Sequence, residues 1–289
     1  MSCFKLYIRY FTKSTIFILQ HFLQHEDTFE KKFFNFRGGT IHNMTLMKEG
    51  KDITPINIGN YNTTRIKNAY LNYVINKQHN TILDVGGADQ PIRSATHVID
   101  VQGLPKDYTN PNSYRLGMMG VINEPIMFNA HTWHVQNICD YPWPYGAKQF
   151  DFVWCTQTLE DLRDPIGVCR EMIRVGKSGY INCPSKFVEL MRPLNQYLGA
   201  DLYNGFWHHR WLISLEGKKL IFDQKTAFGF ILDFSEFAKL IKTHPELCVT
   251  ELYWDDSFEV EERFELDAKT EANSLIQYIQ GIFKQYKDK

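Results

Sequence analysis

Between Thr63 and Lys77, apolar residues at Ile66, Ala69, Tyr70, Tyr73 and Val74 recur at the spacing of one helical face. The period then changes. Thr81-Ile82-Leu83-Asp84-Val85 is a short apolar run that stops at Gly86-Gly87, a strand breaking into a turn. Thr96-His97-Val98-Ile99 predicts a second strand ending at Asp100, and Pro91 in the short connection permits only a brief helix there. Gln102 to Ala130, rich in proline, asparagine and glycine, reads as a long excursion and a candidate lid. Thr132 to Val135 predicts a third strand ending at Asn137, and Phe150 to Trp154 a fourth.

The clearest helix follows. Asp164 can cap it, Pro165 suits its first turn, and Ile166, Cys169, Met172 and Ile173 supply an inward stripe. Gly176 and Gly179 end it, and Tyr180 to Cys183 predicts a fifth strand before Pro184. Lys219 to Phe222 and Val249 to Trp254 are strand candidates that would complete one edge, and Thr270 to Tyr286 reads as a closing helix. Strands alternating with helices predict an α/β fold around a mostly parallel sheet. We find no internal repeat.

Composition narrows the class. Hydrophobic residues make up 44% of the 289 and charged residues 22%, the balance of a globular chain. With 32 basic against 33 acidic side chains, there is no basic surplus of the kind that phosphate-backbone binding exploits. That argues against a nucleic-acid partner. Cys3, Cys139, Cys155, Cys169, Cys183 and Cys248 form no C-x-x-C pair and read as buried, reduced thiols, consistent with a cytoplasmic setting. From Met1 to His25 the chain is basic and free of acids, with the apolar cluster Ile16 to Leu19. That segment could be a transit peptide, a membrane-surface helix, a docking helix or a plain extension; Gln20, His21 and Gln24 interrupt it too much to span a bilayer. No other stretch resembles a transmembrane segment.

Parallel sheets bind ligands at the carboxyl ends of their strands. Here three strand ends carry groups suited to one nucleoside. Gly86-Gly87 lets backbone approach a ligand, with the Asp84 carboxylate just before it. Asp100 could accept both ribose hydroxyls, and Asn137 could read an adenine edge. Each signal alone is weak; their order along a βαβ pattern is what counts.

At this point the sequence resembles the class I S-adenosylmethionine (SAM)-dependent methyltransferases, in particular the methyltransferase type 11 group. Thr81 to Ala88 (TILDVGGA) is similar to the first motif of the class. Pro142-Trp143-Pro144-Tyr145, Phe150-Asp151-Phe152-Val153, Thr158 to Pro165 (TLEDLRDP) and Arg174 to Gly179 (RVGKSG) resemble its downstream half. The likeness runs from about Thr63 to Ser185. It implies a Rossmann-like, doubly wound, seven-stranded sheet with helices on both faces, an N-terminal extension over 1–50, and a SAM-binding domain over 51–289 with a cap inserted around 186–218. It further implies that Asp84, Gly86, Gly87 and Ala88 line the methionine end of SAM. By the same likeness Asp100 holds the ribose with Val101 packing on adenine, Asn137 and Ile138 contact adenine, and Thr156-Gln157 covers the sulfonium side. No metal is implied. Ala88 and Gln90 stand where the family turn carries glycines, Asn137 replaces a common acid, and Glu160-Asp161 replaces Glu-His, which removes a histidine base at that spot.

Outside the motifs, Trp207-His208-His209-Arg210-Trp211 is the densest cluster of chemical groups. His208 and His209 are candidate catalytic bases for a small hydroxyl- or amine-bearing acceptor, such as a sugar, on which the tryptophans would stack. The alternative is a cap helix packing its aromatics. Arg210 would pair with a substrate carboxylate or phosphate, or with Glu216. Two other readings compete. A dinucleotide-binding domain needs G-x-G-x-x-G, which Gly86 to Pro91 does not supply; a non-catalytic SAM-fold subunit would instead bind a partner. The sequence does not set the oligomeric state.

Overall fold

The computed structural model describes residues 58–87, 90–104, 106, 125–190, 208–225, 240–241, 243–264 and 268–287. The N-terminal segment, Ala88, most of the candidate lid, and residues 191–207 with Trp207 lie outside them.

Helix α1 (Ile58–Ala69) runs into a wider helical turn (Tyr70–Ile75) and then into strand β1 (Ile82–Val85). Strands β2 (His97–Asp100), β3 (Trp133–Val135), β4 (Phe152–Thr156) and β5 (Ser178–Pro184) follow, with helix α2 (Pro165–Val175) between the last two. After the short helix α3 (Lys186–Glu189) come β6 (Trp211–Glu216), β7 (Lys219–Gln224), β8 (Val249–Asp255), β9 (Glu259–Arg263) and helix α4 (Ala268–Lys287). β1 to β5 are parallel and β8 closes the sheet antiparallel to β5, in the order β3-β2-β1-β4-β5-β8.

Both faces are covered. Residues of one strand alternate between two cores: Val98 joins Ile66, Tyr70 and Val74 from the α1 side, and Ile99 joins Val168, Cys169 and Met172 of α2. This double burial is why the strands read as continuous apolar runs rather than alternating ones. α2 begins as expected, with the Asp164 carboxylate accepting from Gly167 N at 2.8 Å. Its buried stripe, Pro165, Val168, Cys169, Met172 and Val175, is turned slightly from the expected one, leaving Ile166 and Ile173 at the margin.

The main sheet has six strands among the described residues, and one expectation about its edge is corrected. β7 does not extend it; a two-residue turn at Gly217-Lys218 folds β7 back on β6, and β9 takes its other edge, forming a separate three-stranded sheet. Glu216 accordingly pairs with Arg263, at 2.8 Å through both guanidinium ends, and not with Arg210. Within the stretch 186–218 expected as a cap, the described elements α3 and β6 carry core residues: Phe187, Val188, Trp211 and Ile213 are all buried.

Candidate active site

The strand order reverses between β1 and β4, and the carboxyl ends of β1, β2 and β3 lie side by side: Val85 pairs with Ile99, Ile99 with His134, and Asp100 with Val135. The Gly86 amide donates to Ile99 O at 3.0 Å, so the glycine turn lies beside the end of β2 that carries Asp100.

The glycines also have protein neighbours at close range. Gly86 has φ +76°, and a Cβ there would stand 2.4 Å from Thr158 Cγ2, across the switch point. A Cβ on Gly87 would meet the Asp84 carboxylate at 2.9 Å. These residues therefore make room for neighbouring protein groups. Asp84 is buried and accepts from Ile92 N at 2.8 Å, which ties the chain after the turn to the end of β1. Burial, then the charge of Asp100, push its carboxyl up to about 7 against the opposing pull of the Ile92 amide.

Asp100 is buried at the tip of β2, with Oδ1 accepting from Gln102 N at 2.7 Å, while Val101 beside it is 64% exposed. Asn137 is exposed, and its side-chain oxygen caps its own turn by accepting from Cys139 N at 3.0 Å. Ile138 points into the core, and its carbonyl accepts from Trp143 Nε1 at 2.9 Å. Thr156 ends β4; Gln157, at φ +51°, is held by Asn182, whose backbone and side-chain oxygens accept from its N and Nε2 at 2.8 Å each. A buried carboxylate thus stands next to an exposed apolar residue at the tip of the second of three adjacent strands.

Residues 119–181 match the family model described as a methyltransferase domain. That stretch runs through β3, β4 and α2 into β5, and the strand order above is that of a Rossmann-like sheet. No curated protein matches the chain. Among solved structures, a chain from the complex between the Haloferax volcanii Trm112 methyltransferase activator and a methyltransferase is 10% identical, with TM-score 0.34, over 69% of this chain and 96% of that one. The N-methyltransferase NodS of Bradyrhizobium japonicum, with S-adenosyl-L-homocysteine, is 13% identical at TM-score 0.28, over 61% of this chain and 74% of its own. The N-terminal domain of EvdMO1 with S-adenosylhomocysteine bound is 13% identical at TM-score 0.28, and this chain covers 56% of it.

A second cluster lies beyond β4. The turn Leu159–Asp161 follows Thr158, and the Glu160 carbonyl accepts from Arg210 N at 2.7 Å while the Leu162 carbonyl accepts from Trp211 Nε1 at 2.8 Å. Trp211 is thus a buried structural residue and not a stacking platform. These bonds bring His208 and His209 to Asp161, with His208 Nε2 4.0 Å from Asp161 Oδ1. Two histidines from a distant segment thus stand beside the turn that has none of its own. His209 is buried, and its Nδ1 lies 2.7 Å from Glu189 Oε1; Glu189, fully buried at the end of α3, also accepts from Lys225 Nζ at 2.5 Å. Burial favours neutral His209, but the hydrogen bond and charge of Glu189 outweigh it and raise its pKa. His208 goes the other way, lowered by burial and by His209 against the pull of Asp161. Glu160 is pushed up to about 7 by burial, with the charge of His209 opposing the rise. Glu189 and Lys225 had no signal in the sequence, since Glu189 meets His209, and Lys225 meets Glu189, only across 20 or more residues of chain.

Among the described residues, no helix is long and apolar enough to cross a membrane.

Proposed function

We propose that the protein transfers the SAM methyl group to a small hydroxyl- or amine-bearing acceptor, such as a sugar. In this reading Asp100 grips the ribose hydroxyls, Val101 packs on adenine, and Asn137 and Ile138 border its edge. Asp84, Gly86, Gly87 and Ala88 shape the methionine end, and Thr156-Gln157 covers the sulfonium. Acceptor activation is assigned to His208 and His209.

One observation carries this. The turn after β4 touches both clusters: Thr158 packs against Gly86, and two residues later Glu160 holds the backbone of Arg210, next to the histidines. A cofactor at the glycine turn and an acceptor at the histidines would therefore be neighbours. Methyl transfer needs the nucleophile held in line with the methyl–sulfonium bond, and such positioning supplies much of the rate. As the new bond to carbon forms, the carbon–sulfur bond breaks, and the acceptor's proton must be drawn off or its charge stabilised.

The test is incubation of the full chain with methyl-labelled SAM and pooled hydroxyl- and amine-bearing metabolites. Label should move to one acceptor class, and His208→Gln should abolish transfer while SAM still binds. Label transfer unaffected by that substitution would refute the histidine assignment, and SAM binding without transfer to any acceptor would favour a subunit that binds a partner.

A further inference from the structure

The cluster that Asp161, His208 and His209 form has the composition and spacing of a metal site. One ligand atom from each lies within 4.8 Å of the others. Three ligands tetrahedrally disposed about a single ion would stand about 3.4 Å apart for metal–ligand distances near 2.1 Å. The required contraction is modest. It falls on Asp161 and His208, whose side chains are each 43% exposed, while His209 is held in place.

Three further features favour an ion. Glu189 fixes one nitrogen of the His209 ring at 2.7 Å, and Lys225 fixes Glu189, a carboxylate–imidazole arrangement that makes the opposite ring nitrogen the coordinating atom and sets its direction. The two segments are joined by backbone bonds that need no metal: Arg210 N to Glu160 O at 2.7 Å, and Lys225 N to Arg210 O at 2.8 Å. Finally Glu160, one residue before Asp161 and 2% exposed, has an oxygen, Oε2, with no hydrogen-bond partner among the described residues, and a cation beside it would favour its ionised form.

We infer that Asp161, His208 and His209 bind one divalent transition-metal ion, with its open positions facing the acceptor. Two imidazoles and one carboxylate suit Zn²⁺, Mn²⁺ or Fe²⁺ better than Mg²⁺ or Ca²⁺. The inference deepens the proposed function, on which its catalytic role rests, and narrows the acceptor to a hydroxyl compound, best one with a second oxygen on the adjacent carbon that can chelate. The acceptor oxygen coordinates the ion and loses its proton to water at lower cost. That oxygen then forms a bond to the SAM methyl carbon as the carbon–sulfur bond breaks, leaving a methyl ether and S-adenosylhomocysteine.

The full chain, stripped with a chelator, is titrated calorimetrically with Zn²⁺, with Mg²⁺ in parallel, and its Co²⁺ form is followed by visible absorption. One Zn²⁺ per chain and d–d bands of a low-coordinate Co²⁺ site are expected, with little Mg²⁺ binding. Asp161→Asn and His208→Gln alter half-exposed side chains and should weaken Zn²⁺ binding at least tenfold without moving the unfolding midpoint. Glu189→Gln should weaken it by about tenfold to a hundredfold through orientation. Absence of stoichiometric Zn²⁺ binding, or binding indifferent to Asp161→Asn and His208→Gln, would overturn the site. If Zn²⁺ binds but methyl transfer survives its removal, the catalytic role is overturned and the proposed function stands. If Zn²⁺ binds and no acceptor is methylated with the metal restored, it is the proposed function that fails.

Discussion

Replacing Gly86 with alanine probes the joint between the cofactor turn and the turn that leads to the histidines. Two costs add. A residue with a Cβ at φ +76° is in the left-handed region, at about 1–2 kcal/mol. The new methyl would also stand 2.4 Å from Thr158 Cγ2 and 2.6 Å from its Oγ1, and Thr158 cannot rotate away without losing its 3.0 Å bond to Thr156 O. Overpacking of this kind costs about 1–3 kcal/mol. Gly86→Ala should therefore lose roughly 2–5 kcal/mol in urea unfolding, with no change in m-value. Thr158→Ala removes both offending atoms and leaves only the Cβ, at 3.0 Å. The double variant should regain the overpacking part but not the backbone part, giving a favourable coupling of about 1–3 kcal/mol in the double-mutant cycle. A single variant within about 0.5 kcal/mol of the parent, or costs that simply add, would refute the packing argument.

Three other outcomes follow from named contacts. Because burial raises Asp84 from 3.8 to about 7 in the folded chain, folding binds a proton between those values, so stability should fall as pH rises through that window, by on the order of 4 kcal/mol; Asp84→Asn should flatten that part of the urea-midpoint profile, and an unchanged slope would contradict the assignment. Asp164→Ala removes the cap on Gly167 N and should cost about 1 kcal/mol by thermal unfolding; no shift in midpoint would mean the cap is idle. Gly179→Ala would put a Cβ 2.5 Å from the Val153 carbonyl and 2.6 Å from the Trp254 ring, in the buried centre of the sheet, and should lower soluble yield or destabilise more than Gly86→Ala; equal stability would show that β4 and β5 can part.

The sequence was most informative where one element alone determined the outcome. Apolar runs ending in glycine or aspartate marked β1 and β2, because a strand buried on both faces leaves a largely apolar signature. Asp164-Pro165 marked the start of α2 for equally local reasons. What escaped was whatever depended on packing between distant segments. Lys219 to Phe222 reads equally well as an edge strand of either sheet, and only the turn before it decides. The close packing of Gly87 on the Asp84 carboxylate likewise has no mark in the sequence. The absence of histidine after Glu160 reads as a loss of chemistry until the hydrogen bond from Arg210 brings His208 and His209 to the same place.

The claim on which the account turns is that SAM lies across the tips of β1, β2 and β3 with its ribose on Asp100. Calorimetric titration of SAM into the full chain and into Asp100→Ala tests it directly. Hydrogen bonds to a charged carboxylate contribute about 1.5–3 kcal/mol, so the substitution should weaken SAM binding about tenfold to a hundredfold in a chain that still unfolds cooperatively. Equal affinity in the two proteins, or NAD binding in place of SAM, would contradict it.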